Sequence, residues 1–395
     1  MRKTDRPLEL PLDEPLSHLA TIRLAARDER RVSGLTHSFY RYPARFSPQF
    51  ASAAITAFSK PGDIVLDPFM GGGTSIVEAC RLGRIAVGSD INALAVFICR
   101  VKTTPLKASQ IFALQCWADE VVPQLRYADS LAGQSTSKDH ETRNLHLPNA
   151  RPIRKLTALA LDTLPQLPDG PTRRFGRCAL LRAGQWALNG RKLPVASEAF
   201  RLKLQFFVHE MLQGLVEYQS CLPPGSRRPR LSVCSADRIA TEFPFQDGRK
   251  ADMVVTSPPY PGIHILYHRW QVDGRKETNA PYWISATRDG EGSSYYNMGD
   301  RRNRNSDDYF ENLSKGLLSI RAAVRDGGVF AQMVAFARPR YALPRYLEAM
   351  RHAGFMEFPR LRRRMWRSVP SRAWHASVKG QTASAREVVL LHTAV

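Results

Sequence analysis

Asp63-Ile64-Val65-Leu66-Asp67-Pro68-Phe69-Met70-Gly71-Gly72-Gly73-Thr74 reads as a short strand that empties into a glycine turn, and the helix-like Ser75-Ile76-Val77-Glu78-Ala79-Cys80-Arg81 follows at once. A brief apolar run bounded by turn residues predicts a buried strand. Gly71, Gly72 and Gly73 tolerate positive φ and let a ligand approach the backbone where any Cβ would clash. Thr74 has the side chain of a helix N-cap. Arg84-Ile85-Ala86-Val87-Gly88-Ser89-Asp90 predicts a second strand. It ends in an acid at the separation where a βαβ nucleotide fold sets the carboxylate that holds ribose hydroxyls. A third predicted strand, Leu231-Ser232-Val233-Cys234-Ser235-Ala236-Asp237, again ends in an acid, Asp237, suited to accept from an adenine amino group. Strand, turn, helix and strand in this order predict an α/β architecture with a mostly parallel sheet.

The glycine turn is a poor phosphate cradle, because it lacks the Gly-Lys-Ser/Thr ending that sets a lysine on phosphates and Asp67 at its entrance would repel them. A nicotinamide-binding turn would carry Gly-x-Gly-x-x-Gly, which is missing. Asp67 and Asp90 together suit an amino acid's ammonium joined to an adenosine. S-adenosyl-L-methionine combines the two and is the expected cofactor.

A second segment, Thr256-Ser257-Pro258-Pro259-Tyr260, follows the apolar Asp252-Met253-Val254-Val255 and predicts a strand that ends in a stiff turn. The exocyclic amino nitrogen of a flat heteroaromatic base attacks poorly, since its lone pair is delocalised into the ring. Acceptors that hold its protons favour a pyramidal, nucleophilic nitrogen. Ser257 Oγ and the Pro258 carbonyl can serve as these acceptors, Pro258 and Pro259 restrict the turn, and Tyr260 offers a face for stacking. Taken alone, the string also reads as a proline-stiffened loop.

With both segments present, the chain resembles the adenine-N6 and cytosine-N4 amino-methyltransferases of DNA. Asp67 to Thr74 is similar to the family's cofactor motif, and Ser257 to Tyr260 to its catalytic motif. His37-Ser38-Phe39-Tyr40-Arg41-Tyr42-Pro43-Ala44-Arg45-Phe46-Ser47-Pro48 is similar to the segment that covers the cofactor's methionine end in such relatives. The resemblance spans residues 36 to 104 and 230 to 395. It implies a Rossmann-like class I methyltransferase with a seven-stranded, mostly parallel sheet, a terminal antiparallel hairpin and a mostly helical insertion. It further implies cofactor contacts from Phe46, Asp67, Phe69, Gly71, Gly73, Thr74, Asp90 and Asp237, and catalysis at Ser257, Pro258, Pro259 and Tyr260. The implied reaction is direct transfer of methyl to the amino group of a flipped base, without metal or covalent enzyme intermediate. Relatives with serine first in the catalytic string lean towards cytosine N4. An RNA base methyltransferase is the alternative, but such enzymes usually carry an RNA-binding domain ahead of the cofactor motif, and only about 35 residues precede the matched part here. A catalytically silent binder would be expected to have lost Asp67, a turn glycine or Ser257.

Composition points to the same partner. With 57 basic against 36 acidic side chains the net charge is +21, which favours polyanions. Arginine runs recur at 23 to 31, 173 to 177, 227 to 230, 301 to 304 and 360 to 367; guanidinium binds phosphate with paired hydrogen bonds. One such run is commonly a solvated face, whereas five beside a base-modifying motif favour double-stranded DNA. The six cysteines, Cys80, Cys99, Cys116, Cys178, Cys221 and Cys234, lack metal-ligand spacing and read as reduced core thiols. No apolar run long enough for a membrane and no signal peptide stand out, so a cytoplasmic protein is expected. Residues 1–35 read as a loosely held basic arm, 36–104 as the cofactor half, 105–229 as a helical insertion and candidate DNA reader, and 230–395 as the catalytic half. Within the last, loop 261–310 is a second candidate reader, whose Tyr267, His268 and Trp270 read alternatively as core residues of a helix after the turn. A restriction endonuclease or specificity subunit is a conceivable further partner.

Overall fold

The computed structural model describes residues 14–28, 30, 32–41, 47–129, 142–242, 244–261, 269–274, 276–290, 298, 307–336, 338–358, 364–368 and 386–395. Among them, ten strands follow in chain order: β1 (Ile64–Asp67), β2 (Ile85–Asp90), β3 (Arg230–Val233), β4 (Ala251–Thr256), β5 (Trp270–Val272), β6 (Lys276–Thr278), β7 (Val324–Ala335), β8 (Phe355–Glu357), β9 (Met365–Ser368) and β10 (Arg386–Ala394). The α-helices are α1 (Glu14–Ala26), α2 (Pro48–Phe58), α3 (Thr74–Arg81), α4 (Ala93–Lys102), α5 (Ala108–Cys116), α6 (Arg151–Thr163), α7 (Gly170–Leu188), α8 (Ser197–Ser220), α9 (Ala280–Ser285), α10 (Asp308–Ala323) and α11 (Pro339–His352).

The main sheet runs β3-β2-β1-β4-β7-β10-β8, with β9 also on β10. β3, β2, β1, β4 and β7 pair in parallel, and β10 enters antiparallel to β7. Val388 and Val389 of β10 pair with β7 on one side and β9 on the other, while His392 and Thr393 pair with β7 and β8. β8 and β9 therefore share one lane, so the eight strands occupy the seven positions expected.

Alternate side chains fill two cores, the period-2 signature of a strand. Val65, Met253, Val255, Ala331 and Met333 face a core built with α2, α4, α7 and α8. Leu66, Val254, Phe330 and Val334 face a second core under α10 and α11. Each of these fully buried Val, Leu, Phe and Met side chains is worth about 1.5–3 kcal/mol. From β1 the chain builds outward through β2 to β3, then returns to β4 on the other side of β1. The carboxyl ends of β1 and β4 thus lie at the point where strand order reverses, the usual ligand crevice of such sheets.

Several expectations change. The third strand stops at Val233, because Val233 pairs with Asp90, the last residue of β2; beyond it only the Asp90 carbonyl is left, and it accepts from Cys234 N–H. Asp237 consequently sits exposed in a 3-10 turn, Ala236–Thr241. The cap of α3 is Gly73, at φ 74°, with Thr74 as the first helical residue. Part of the N-terminal arm is a seated helix, with Ile22 and Ala26 of α1 buried in the first core. Residues 261–310 are more than a loop, since they include the β5–β6 hairpin and α9. Trp270 is a fully buried strand residue that donates from Nε1 to Tyr40 Oη at 2.9 Å, and its ring lies against Gly184 of α7. Tyr267 and His268 lie outside the described residues, as do runs 301–306 and 359–363. Cys221 is exposed, whereas Cys80, Cys99, Cys178 and Cys234 are buried.

The helical insertion covers the first core. Phe175 of α7 meets Phe39 edge-on at 5.7 Å, and Gly214 of α8 leaves room for the Leu35 carbonyl. Among the described residues no helix is long and apolar enough to cross a membrane.

Gly73 separates two demands on glycine. Its φ is positive, and a Cβ there would fall 2.4 Å from Cys99 Sγ of α4, whereas Gly62, at φ 91°, faces open space. Gly62→Ala should cost about 1 kcal/mol of backbone strain. Gly73→Ala should cost about 2–4 kcal/mol, since the turn must also part from α4. Urea unfolding measures both, and equal losses would mean that the Cys99 contact does not demand glycine.

Candidate active site

Asp67, at the carboxyl end of β1, is 3% exposed and acts as a junction. Its Oδ1 accepts from Phe69 N–H at 3.1 Å and from Thr256 Oγ1 at 2.6 Å, and its Oδ2 accepts from Ser75 Oγ. The carboxylate thereby ties β1 to the end of β4 and to the first turn of α3. Oδ1 has both lone pairs engaged, while Oδ2 keeps one in reserve. Burial pushes its pKa up to about 7, against the opposing pull of its three donors.

Asp90, at the end of β2, accepts from Gly71 N–H at 2.9 Å and Asn92 N–H at 2.8 Å. Burial raises it to about 6. Gly71 is at φ 47°, and the space beside it is open. The next turn adds a feature that the sequence reading missed. Asn92 caps α4 with its Oδ1, which accepts from Leu94 N–H and Tyr282 Oη. Its Nδ2 is buried without a hydrogen-bond partner among the described residues. An unpaired buried donor is costly, and this one stands two residues from Asp90. Lys102, at the end of α4, donates from Nζ to the Gly72 carbonyl at 2.6 Å and so steadies the glycine turn. Phe69 is half-buried and packs against the second core. Phe46 lies outside the described residues. His37 of the same segment is held by Glu78 of α3 at 2.9 Å, and Arg81 pairs with that carboxylate.

The Ser-Pro-Pro-Tyr turn leaves β4 immediately after Thr256. Ser257 Oγ is 2.8 Å from Tyr260 Oη, and Tyr260 Oη donates to Glu387 Oε1 of β10, also at 2.8 Å. Arg367 of β9 donates to Glu387 Oε2 at 2.7 Å. Pro258 is buried, and the Pro259 carbonyl accepts from Tyr309 Oη of α10 at 2.7 Å. Tyr260 is 8% exposed and belongs to the second core, so its ring presents little face for stacking. Glu387 and Arg367 were not legible as site residues, although an acid at the head of the apolar run Val388-Val389-Leu390-Leu391 is a signal in itself. Asp67, Gly71, Gly73, Thr74, Asp90 and Ser257 gather at this one sheet edge. Asp237 stands in the 3-10 turn beyond β3, outside their hydrogen-bond network.

Two of the arginine runs converge elsewhere. Arg174 of α7 and Arg228 meet Arg100 of α4 around a groove of about 220 Å³ that Thr103, Thr104, Pro229 and Leu231 complete. Burial and the neighbouring Arg100 hold the Arg174 guanidinium below its ordinary pKa.

Comparison with known proteins matches the amino-terminal part of this edge. A family described as DNA methylase matches residues 23–98. Over 80 residues the chain is 44% identical to the type II methyltransferase M.MvaI of Kocuria varians, a stretch covering 20% of this chain and 18% of that protein. Over 74 residues it is 35% identical to the type II methyltransferase M.MjaII of Methanocaldococcus jannaschii, covering 19% and 14%. The match therefore spans less than a fifth of either relative. Among solved structures, TrmN from Thermus thermophilus overlaps at a TM-score of 0.32 and 12% identity, over 90% of this chain and 50% of that one. The rRNA methyltransferase aviRa from Streptomyces viridochromogenes overlaps at 0.33 and 12%, over 97% and 94%. Likenesses this slight carry no weight for the chemistry. In the segment that builds the glycine turn and both buried acids the chain is similar to S-adenosylmethionine-dependent DNA amino-methyltransferases, and the sheet bearing that segment is mostly parallel, with β10 entering antiparallel.

Proposed function

We propose that this protein transfers the methyl group of S-adenosyl-L-methionine to the exocyclic amino group of a base in double-stranded DNA, with cytosine N4 favoured over adenine N6. The observation that carries the reading is the Asp67–Thr256 hydrogen bond, which joins the glycine turn and the Ser-Pro-Pro-Tyr turn at one sheet edge. The residues present suit the cofactor. Asp90 and the unpaired Asn92 Nδ2 would hold the ribose, Gly71 leaves the backbone approachable, and the reserve lone pair of Asp67 favours a cation. When bound, the cofactor supplies an electrophilic methyl on a sulfonium.

The chain's own contribution is orientation. Tyr260 has one hydroxyl proton and gives it to Glu387, so the Ser257 proton points to Tyr260 Oη. Both lone pairs of Ser257 Oγ are then free to accept an amino proton from the base. Tyr309 and the two prolines hold that oxygen in position before any ligand arrives, which is where the catalytic gain of preorganisation lies. A base inside a duplex must leave the stack at a cost of a few kcal/mol, and the net charge of +21 supplies attraction to the phosphates. The insertion, 105–229, is our candidate for reading the target sequence. A type II system would add a cognate restriction endonuclease as partner.

Labelled methyl offered with genomic DNA and total RNA, followed by mass spectrometry of the digested nucleosides, tests the reading. N4-methylcytosine in DNA is expected, and Ser257→Ala should slow transfer by about 10²–10³-fold. N6-methyladenine would overturn the base assignment, and label in RNA alone would overturn the DNA assignment.

Binding of the demethylated cofactor should also depend on pH. Both acids bind best when ionised, so affinity should fall as pH drops through about 7 and then about 6, and level off above. Asp90→Asn should weaken binding by about 10–100-fold and remove the lower step. Calorimetric titration across this range checks both, and a flat profile would count against these carboxylates as cofactor ligands.

A further inference from the structure

Methylation of a base amino group leaves a proton to be removed, and a serine hydroxyl cannot keep it. We propose that Glu387 is the terminal acceptor of that proton, reached through Ser257 and Tyr260, an inference that rests on the methyl-transfer reading above. As the amino nitrogen's lone pair forms the N–C bond, the S–C bond of the sulfonium breaks and its electron pair stays on sulfur. The nitrogen's proton passes to Ser257 Oγ, the Ser257 hydroxyl proton to Tyr260 Oη, and the Tyr260 phenol proton to Glu387 Oε1. The net result is a neutral methylamino group, a thioether and a protonated Glu387.

The geometry supplies every link. Ser257 to Tyr260 and Tyr260 to Glu387 are both 2.8 Å, and Tyr260 is oriented as the donor to Glu387. Glu387 is 2% exposed and stands at the head of the buried apolar run Val388 to Leu391. Burying a carboxylate there is expensive even with a partner, and an apolar side chain would serve packing as well or better. Arg367, 11% exposed, compensates the charge from β9. A carboxylate suffices as the acceptor here. A methylated heteroaromatic amino group that still holds its extra proton is a strong acid, because losing the proton restores delocalisation into the ring. Asp67, one of two further buried carboxylates at this edge, takes its hydrogen bonds from Thr256, Ser75 and Phe69 rather than from Ser257, as Asp90 takes its own from Gly71 and Asn92. Neither is in line.

Single-turnover methyl transfer to DNA across pH, with the wild type, Glu387→Gln, Tyr260→Phe and the double variant, decides the matter. Each single variant should lose about 10²-fold or more in rate while binding of DNA and of the demethylated cofactor is retained. The double variant should lose no more than the worse single one, since either break interrupts the same path. The wild-type rate should stay level between about pH 7 and 9, whereas that of Glu387→Gln should climb with pH, because hydroxide then ends the chain. A purely structural role would lower rate and binding together and leave the profile level, which would overturn the proposal. So would variants that transfer at the wild-type rate. Where Glu387→Gln fails to fold, Tyr260→Phe, which keeps the Glu387–Arg367 pair, decides alone. A wild type that methylates neither DNA nor RNA would overturn the methyl-transfer reading itself.

Discussion

The buried carboxylate of Asp67 is the interaction on which the rest of this site depends. It stands where the strand order reverses, and it draws the first turn of α3, the end of β4 and the Phe69 amide onto a single group. Parallel strands diverge at such a point, and nothing in the backbone ladder holds their ends in register beyond the last pair. The carboxylate does so with three hydrogen bonds. The same burial that makes it an effective junction also lifts its pKa to about 7, so the group that organises the edge is also one that titrates near neutrality.

Around that junction the chemistry divides between two kinds of support. On one side, the glycine turn is tied through the Gly71 N–H to Asp90, which Asn92 N–H also holds, and through the Gly72 carbonyl to Lys102 of α4. On the other side, the Ser-Pro-Pro-Tyr turn is held by side chains from distant parts of the chain, Tyr309 from α10 and Glu387 from β10. The antiparallel β10 does more than close the sheet. Its first inward side chain extends the hydrogen-bond path from Ser257 into the interior, where Arg367 ends it.

The insertion between β2 and β3 builds the core on one face of the sheet, and the β5–β6 hairpin with α9 is welded to it through Trp270, Gly184 and the Arg177 donor to the Ile284 carbonyl. Two chain segments that flank the Ser-Pro-Pro-Tyr turn in sequence thus share one body. The arginines gathered at Arg100, Arg174 and Arg228 lie on that body too, at the amino end of β3, away from the crevice.

Much was legible in the sequence because it is local. The strand Ile64–Asp67, the glycine turn, the acid Asp90 and the Ser-Pro-Pro-Tyr string are each written in a few consecutive residues, where propensity and steric rules act within one turn of chain. The end of the third strand and the cap of the first helix were misread at this level for a local reason as well: a strand ends where its partner ends, and the cap fell to Gly73, at positive φ, one residue before the threonine. What only the tertiary structure decided is which groups meet. Thr256 reaches Asp67 across 189 positions of chain, and Glu387 reaches Tyr260 across 127. No periodicity encodes such pairings, since they follow from strand order, and strand order is set by how the two cores pack on the sheet.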